Sequence, residues 1–177
     1  MYDDKELAKG IILAIIREAG GKLHNKTNLY KAFYYAHLEF ARTEPGYLSG
    51  WPIVHMPNGP GIDWCDRLLG ELVADGLLEI KQVTKGKYAA FLFVAAQVPP
   101  RISLPEGSSE AIKKAVTLVD GKTAETVSEE SHRRAWERTK NGQEMDIYLD
   151  LQDDDEYRNR AVLFEKLGPL VDDIFGG

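Results

Sequence analysis

A dense run of proline and glycine at residues 45–61 constrains the fold of this chain more than any other feature. Four glycines are interspersed among Pro45, Pro52, Pro57 and Pro60. Proline fixes φ and lacks a backbone N–H, and the residue before a proline is pushed toward extended conformations. No long helix can therefore cross this run. We predict a shaped loop here, with a short extended piece at 51–56.

Two amphipathic helices are predicted before the loop. In residues 4–19 the apolar side chains fall on one stripe, and Gly20-Gly21 follows them, as glycine does at many helix ends. In residues 26–43 the apolar face is aromatic. Its two rows contain Leu29, Phe33, Ala36 and Phe40, and Tyr30, Tyr34, His37 and Ala41.

A third helix and two strands are predicted after the loop. Residues 62–75 have an apolar face that includes Cys65, and Asp75-Gly76 ends the helix. Segments 77–83 and 88–95 are rich in β-branched and aromatic residues and are joined by a short turn. The order helix, helix, helix, hairpin is that of a winged helix-turn-helix core. The predicted fold class is α+β, mostly helical: a winged-helix-like helical core with a small antiparallel β-hairpin and additional C-terminal helices.

Helices are predicted to make up most of the chain after residue 95. Ser108 can cap a helix that runs to about residue 119, and Thr123 can cap another that runs to about residue 140. A last helix is predicted at 154–167. We therefore divide the chain into one domain at 1–148 and an acidic helical tail at 149–177, packed on that domain or extending from it.

Charge and cysteine usage restrict the compartment and the partners. The net charge is −6, and residues 148–177 hold eight acidic and three basic residues. The single cysteine, Cys65, cannot form an internal disulfide, which favours a reducing compartment. The longest apolar runs are far shorter than the roughly 20 residues that span a bilayer. We expect a cytoplasmic protein with no membrane partner.

Catalytic and metal-binding motifs are absent from the sequence. It contains no phosphate-binding glycine loop, no nucleophile elbow and no zinc-protease motif. The four histidines, His24, His37, His55 and His132, do not stand at metal-ligand spacings. Cys65 could act as a nucleophile, but its place on the apolar stripe favours a buried structural thiol. We therefore expect no enzyme activity, no cofactor and no metal.

The winged-helix order also allows a DNA-binding transcriptional regulator, which is the alternative function. Its recognition helix would be the third one. Residues 61–75 carry Asp63, Asp66, Glu71 and Asp75 against Arg67 alone. Such a surface repels phosphates, so the charge pattern argues against DNA binding without excluding it.

Three stretches in a fixed order resemble one protein family. The first is KTNLYKAFYYA at 26–36; the second is MPNGP at 56–60 with the Leu-rich helix and Gly76-Leu77-Leu78 after it. The third is 111–136, which ends in the pair His132 and Trp136. Together they resemble the Panacea antitoxin family, the SocA-like or phage-associated protein domain, over roughly residues 5–148. One departure is Asn58, which stands where the family usually has an aromatic residue.

This resemblance implies an antitoxin of a toxin-antitoxin system. Domains of the family pair with many unrelated protein toxins and neutralise them by direct contact. A related member looks like a proteolytic adaptor that delivers its toxin to a AAA+ protease, which would be a second partner. The family is not known for a catalytic site.

The loop residues have the properties of a docking surface. A stiff loop loses little entropy on binding, and aromatic and Met side chains are enriched at interface centres. The predicted partner-binding residues are Tyr47, Trp51, Met56, Pro57, Asn58, Gly59, Pro60, His132 and Trp136. Two packing alternatives to partner binding stay open. In one, Trp51 and Trp64 cap the core under the loop. In the other, which is independent of the first, His132 and Trp136, at i and i+4, pack the last helix onto the core.

Overall fold

Six α-helices and five strands occur in the part of the chain that the computed structural model describes, residues 3–98 and 102–152. In chain order they are α1 (Asp4–Glu18), β1 (Lys22–His24), α2 (Lys26–Thr43), β2 (Ile53–Met56), β3 (Gly59–Ile62), α3 (Cys65–Ala74), β4 (Leu78–Lys85), β5 (Tyr88–Ala95), α4 (Ser108–Val119), α5 (Ala124–Ser131) and α6 (Arg134–Arg138). A short 3₁₀ helix, Ile147–Leu151, follows. The predicted fold class, α+β and mostly helical with a small antiparallel sheet, is confirmed.

Helices α1 and α2 lie within one residue of their predicted bounds because a side chain caps each of them. The Asp3 carboxylate accepts the Lys5 N–H at 2.9 Å, and the Asn25 side chain accepts the Asn28 N–H at 2.8 Å. Helix α2 forms the centre of the core, with α1, α4 and α5 packed around it. Its position matters for the site because it carries Lys31 beneath the proline-glycine run.

The three-stranded sheet completes the winged-helix-like core. Strands β4 and β5 form the predicted hairpin, and β1 pairs with β5, so the strand order is β1-β5-β4. Strand β1 was not predicted. It has only three residues, between Gly21 and the cap residue Asn25, and so it offers no usable alternation.

The proline-glycine run folds as a second hairpin, more ordered than the predicted loop. Strands β2 and β3 pair from Ile53↔Ile62 to Met56↔Gly59, with a two-residue turn between them. The predicted third helix starts too early, because Ile62 belongs to β3 and the helix begins at Cys65. The outer edge of β2 is also covered: the His55 N–H donates to the Gln143 carbonyl at 2.9 Å.

The C-terminal helices depart from prediction at two points. Ser108 does not cap α4; the N-cap is Gly107 at φ 83°, where an added Cβ would lie 2.6 Å from the Glu44 side chain. Thr123 does cap α5, but the single helix predicted to about residue 140 is broken. Arg133 is extended, and the Asp150 carboxylate then accepts the Ala135 N–H at 2.8 Å, so a separate helix, α6, begins.

The acidic tail falls mainly outside the described residues, including the helix predicted at 154–167. Its first residues, 149–152, lie against the core: the Tyr34 hydroxyl donates to Asp150 at 2.6 Å and the Arg134 guanidinium to the Gln152 carbonyl at 2.9 Å. Over the ranges given above, no helix combines the length and apolar character needed to cross a membrane.

Candidate functional site

The β2–β3 hairpin is held from behind by two side-chain donors. The Trp136 indole N–H donates to the Met56 carbonyl at 2.9 Å, on the strand that enters the turn. The Lys31 ammonium donates to the Pro60 carbonyl at 2.8 Å, on the strand that leaves it. Two helices, α6 and α2, therefore fix the turn at both ends.

Lys31 is an unusual group to find at this position. It is 1% exposed, and none of the described carboxylates forms an ion pair with it. Burial lowers the pKa of its amine to about 7. The amine can donate to Pro60 in either protonation state, so the clamp does not require a charge inside the protein.

Gly59 lets the turn approach this amine. Its φ is +98°, a backbone conformation that residues with a Cβ rarely adopt. An added Cβ would lie 2.5 Å from the Ser131 hydroxyl oxygen and 2.8 Å from the Lys31 Nζ. Only glycine fits between α2 and the end of α5.

Trp136 lies between two histidine rings. The His132 ring is stacked on it at a centroid distance of 3.9 Å and 12° between planes. The His55 ring, from β2, is stacked at 4.6 Å and 13°. The predicted contact between His132 and Trp136 is therefore present, although it crosses the break between α5 and α6. His55 joins the cluster and was not predicted.

The environment of the stack keeps His132 neutral. Burial and then the positive charge of Lys31 lower the pKa of His132. The Nε2 atom of His132 and the Nδ1 atom of His55 are buried without a hydrogen-bond partner in the described part of the chain. The three rings pack against one another behind the hairpin.

The predicted partner-binding residues separate into two groups by exposure. Gly59 and Pro60 are buried, and Trp51, Met56, His132 and Trp136 are partly buried. Pro57, Asn58 and Tyr47 are exposed, Tyr47 by 67%. The buried and partly buried residues shape and support the surface. Only Pro57, Asn58 and Tyr47 are fully accessible to a partner from solvent.

Trp51 and Trp64 have opposite roles at the base of the hairpin. The Trp51 indole N–H donates to the Asp63 carbonyl at 2.9 Å, which fixes its ring against the core. Trp64 is 68% exposed and has a left-handed backbone at φ 47°. A bulky residue in this region is a genuine outlier, and such strain clusters at functional sites. Trp64 was absent from the predicted binding residues.

The groups weighed as reactive are buried. Cys65 is buried as its apolar stripe predicted, and desolvation raises the pKa of its thiol to about 12. His37 is also buried, with a pKa lowered to about 4 by desolvation. Residues 3–98 and 102–152 contain no group of three or more His, Cys, Asp or Glu side chains placed to hold a metal ion.

Two of the acidic residues predicted on the third helix, Asp66 and Glu71, lie on the surface of α3 and are paired with neighbouring cations. Asp66 is highly exposed, and the Lys26 ammonium is paired with it. Glu71 is paired with Lys5 at 3.2 Å and Arg67 at 3.3 Å. The cations beside this helix are thus already bound to its carboxylates.

Comparison with protein-family models, with curated proteins and with solved structures finds no match for this chain. The resemblance to the Panacea antitoxin family therefore rests on the sequence stretches quoted above. Any functional conclusion must come from the site itself.

Proposed function

We propose that this protein is an antitoxin that neutralises a protein toxin by direct binding. Its docking surface is the exposed side of the β2–β3 hairpin together with Tyr47 and Trp64, which we name the hairpin face. The observation that carries the proposal is Trp64, a large aromatic side chain displayed at a strained backbone position beside a rigid hairpin. The three-part sequence resemblance gives the proposal its partner class.

The display of Trp64 is costly for the isolated chain. A non-glycine residue in the left-handed region costs of order 1 kcal/mol, and an exposed indole gains nothing from burial. Trp is also the residue type most enriched among interface residues that dominate binding energy. A partner that buries this ring would gain the hydrophobic free energy of burying an indole, which the free protein does not have.

The rigidity of the hairpin supports the same function. Lys31 and Trp136 hold its two strands, and β2 is covered on its outer edge by residues 142–145. A surface already fixed in its bound shape loses little conformational entropy on association. The hairpin face is therefore suited to binding, whereas the buried Cys65 thiol and His37 ring are poorly placed for chemistry on an external substrate.

The alternative function is that of a winged-helix DNA-binding regulator, because such regulators also have a hairpin after their third helix. The carboxylates on α3 do not favour it, since a recognition helix normally needs positive or neutral groups near phosphates. Retarded migration of its own promoter DNA, with a steep dependence on salt, would support this alternative. Delivery of the toxin to a AAA+ protease remains a prediction from the resemblance.

Co-expression with the product of the neighbouring gene tests the proposal. We expect that product to arrest growth alone and to be harmless with this chain. The purified pair should bind, and Trp64→Ala should weaken the complex by about 2 kcal/mol, roughly 30-fold in Kd. Phe91→Ala is the matched control, because Phe91 is an exposed aromatic, at 45%, on β5 of the other sheet.

Two results would contradict the proposal. The neighbouring product could be harmless by itself, or it could stay toxic when this chain is present. Equal losses of affinity in Trp64→Ala and Phe91→Ala would leave an antitoxin but remove the hairpin face as its docking surface. Thermal unfolding of both variants separates lost contacts from lost folding.

A further inference from the structure

A cavity of about 150 Å³ opens beside the hairpin face, between the loop after α2 and the segment that leads into the 3₁₀ helix. Three aromatic rings line it: Tyr47, Trp51 and Tyr148. The Tyr47 and Tyr148 centroids are 4.8 Å apart, with their planes tilted by 45°. A cavity of this volume accepts a group about the size of benzene.

The walls of the cavity are preorganised. Trp51 is fixed by its hydrogen bond to the Asp63 carbonyl. Tyr148 lies in the 3₁₀ helix that the Asp146 carboxylate caps, and burial is the main cause that raises the pKa of its phenol to about 12. The Tyr148 phenol therefore stays a neutral hydrogen-bonding group at physiological pH.

The histidine in the cavity lining is uncharged. The His37 Nδ1 lies 2.8 Å from the Phe33 carbonyl, which can only accept, so this nitrogen carries the hydrogen. Its Nε2 then accepts from the Ser49 hydroxyl at 2.8 Å. No positive charge is contributed by this ring.

Among the described residues that line the cavity, the one full charge belongs to Glu144, an exposed carboxylate on the segment beside β2. Within residues 3–98 and 102–152, no Lys or Arg lines the cavity. Aromatic faces carry negative partial charge and attract cations, and the attraction grows when the cation is partly desolvated. Ring faces and a carboxylate thus act in the same direction.

We propose that this cavity is an aromatic cage for a cationic side chain of the toxin, an arginine whose guanidinium stacks on the rings and pairs with Glu144. Guanidinium is planar, weakly hydrated and suited both to stacking and to carboxylate pairing. An anion would meet the Glu144 charge, and a purely apolar group would leave that carboxylate unused. This inference rests on the proposed function and names the partner chemistry of the hairpin face.

A small-molecule experiment tests the cage without the toxin. The probes are N-acetyl-arginine amide and its neutral isostere N-acetyl-citrulline amide, titrated into the full chain while the NMR signal of the Trp51 indole N–H is followed. Trp51→Phe assigns that signal. We expect saturable millimolar binding of the arginine probe, with the citrulline probe at least fivefold weaker.

Variants assign this binding to the cage. Glu144→Gln should weaken the arginine probe about fivefold and remove the preference over citrulline, whereas Glu137→Gln, an exposed carboxylate on α6, should change neither. Equal affinity for the two probes, an unmoved Trp51 signal, or an unaffected Glu144→Gln variant would each overturn the cage.

A double-mutant cycle with the purified toxin tests the occupant. Among Arg→Gln variants of the toxin, one should lose affinity with the wild-type chain and lose almost nothing further with Tyr47→Ala. If no toxin arginine couples to Tyr47 while the arginine probe still binds, the occupant is a free cation and the proposed occupant is wrong. If the toxin pairing itself fails, the probe titration still decides whether the cage exists.

Discussion

The Nζ atom of Lys31 donates to the Pro60 carbonyl at 2.8 Å from inside the core, so a buried amine of α2 supports the proline-glycine run. Lysine is almost never fully buried without a carboxylate partner. Here the amine is dry enough that the pKa of Lys31 falls to about 7. The free energy of unfolding is thus coupled to pH through Lys31.

Stability should rise with pH from 7 to 8.5 because of Lys31. In this range the unfolded chain keeps the lysine protonated, near its ordinary pKa of about 10.4, while the folded chain releases the proton. The unfolded state therefore binds more protons, and the free energy of unfolding should increase by roughly 1.5–2 kcal/mol across the window. Urea denaturation at a series of pH values measures this slope.

Lys31→Met is the control for that slope, since it keeps the apolar stem and removes the titration. Two other groups affect this window less. His132, whose pKa is lowered, titrates below it. Cys65, whose pKa is raised to about 12, opposes the rise by only about 0.4 kcal/mol at pH 8.5, because its thiol ionises near that pH in the unfolded chain, and it does so equally in both variants. Parallel slopes for wild type and Lys31→Met would show that Lys31 is not responsible.

Gly59→Ala should destabilise the fold by about 3 kcal/mol. The new Cβ must adopt φ +98° and would meet the Ser131 hydroxyl at 2.5 Å, and both effects oppose folding. Gly46→Ala separates them, because Gly46 has φ +91° and nothing within 4 Å of an added Cβ. We expect Gly46→Ala to cost about 1 kcal/mol in the same urea titration. Equal costs would mean that close packing at Gly59 contributes nothing.

Trp136→Phe should test the hydrogen bond to the hairpin separately from the ring stack. The phenyl ring can still lie between His55 and His132, but the Met56 carbonyl loses its donor. We expect a loss of about 1–2 kcal/mol in the free energy of unfolding. Trp64→Phe provides the comparison, since the Trp64 ring is exposed and should change stability by less than about 0.5 kcal/mol. A neutral Trp136→Phe variant would show that stacking alone holds the hairpin.

Local sequence signals predicted most of the fold. Asp3 and Asn25 cap helices whose apolar stripes are long and regular, and the β4–β5 hairpin has a clear turn between two apolar runs. Strand β1 and the β2–β3 pairing were beyond this reasoning. Each of these strands has only three or four residues, which is too few to show a periodic pattern. The partner of β1 lies far away in sequence, and the prolines around β2 and β3 indicate a loop rather than a strand.

The candidate site was less predictable because its key contacts are tertiary. On a continuous helix Trp64 would share a face with Leu68 and Leu72, and the sequence pattern would therefore predict a buried side chain. Its left-handed backbone turns the ring outward instead. The sequence predicts that Lys31 is an exposed lysine between buried neighbours. No local pattern indicates that its amine bonds to a carbonyl 29 residues away. The His132–Trp136 pair was predicted from helical spacing, yet its geometry arises across a helix break set by Asp150.

Cys65 should resist thiol reagents for as long as the chain is folded. The reacting species is the thiolate, and with a pKa of about 12 roughly one thiol in ten thousand is ionised at pH 8. We expect labelling by a chromogenic disulfide at pH 8 to be at least 100-fold slower than in urea and to follow the opening of α3 away from the core. Thr117→Cys in a Cys65→Ala background, an exposed position on α4, should label quickly under the same conditions. Rapid labelling of native Cys65 would show that α3 opens readily, and the placement of this thiol in a stable core would then be wrong.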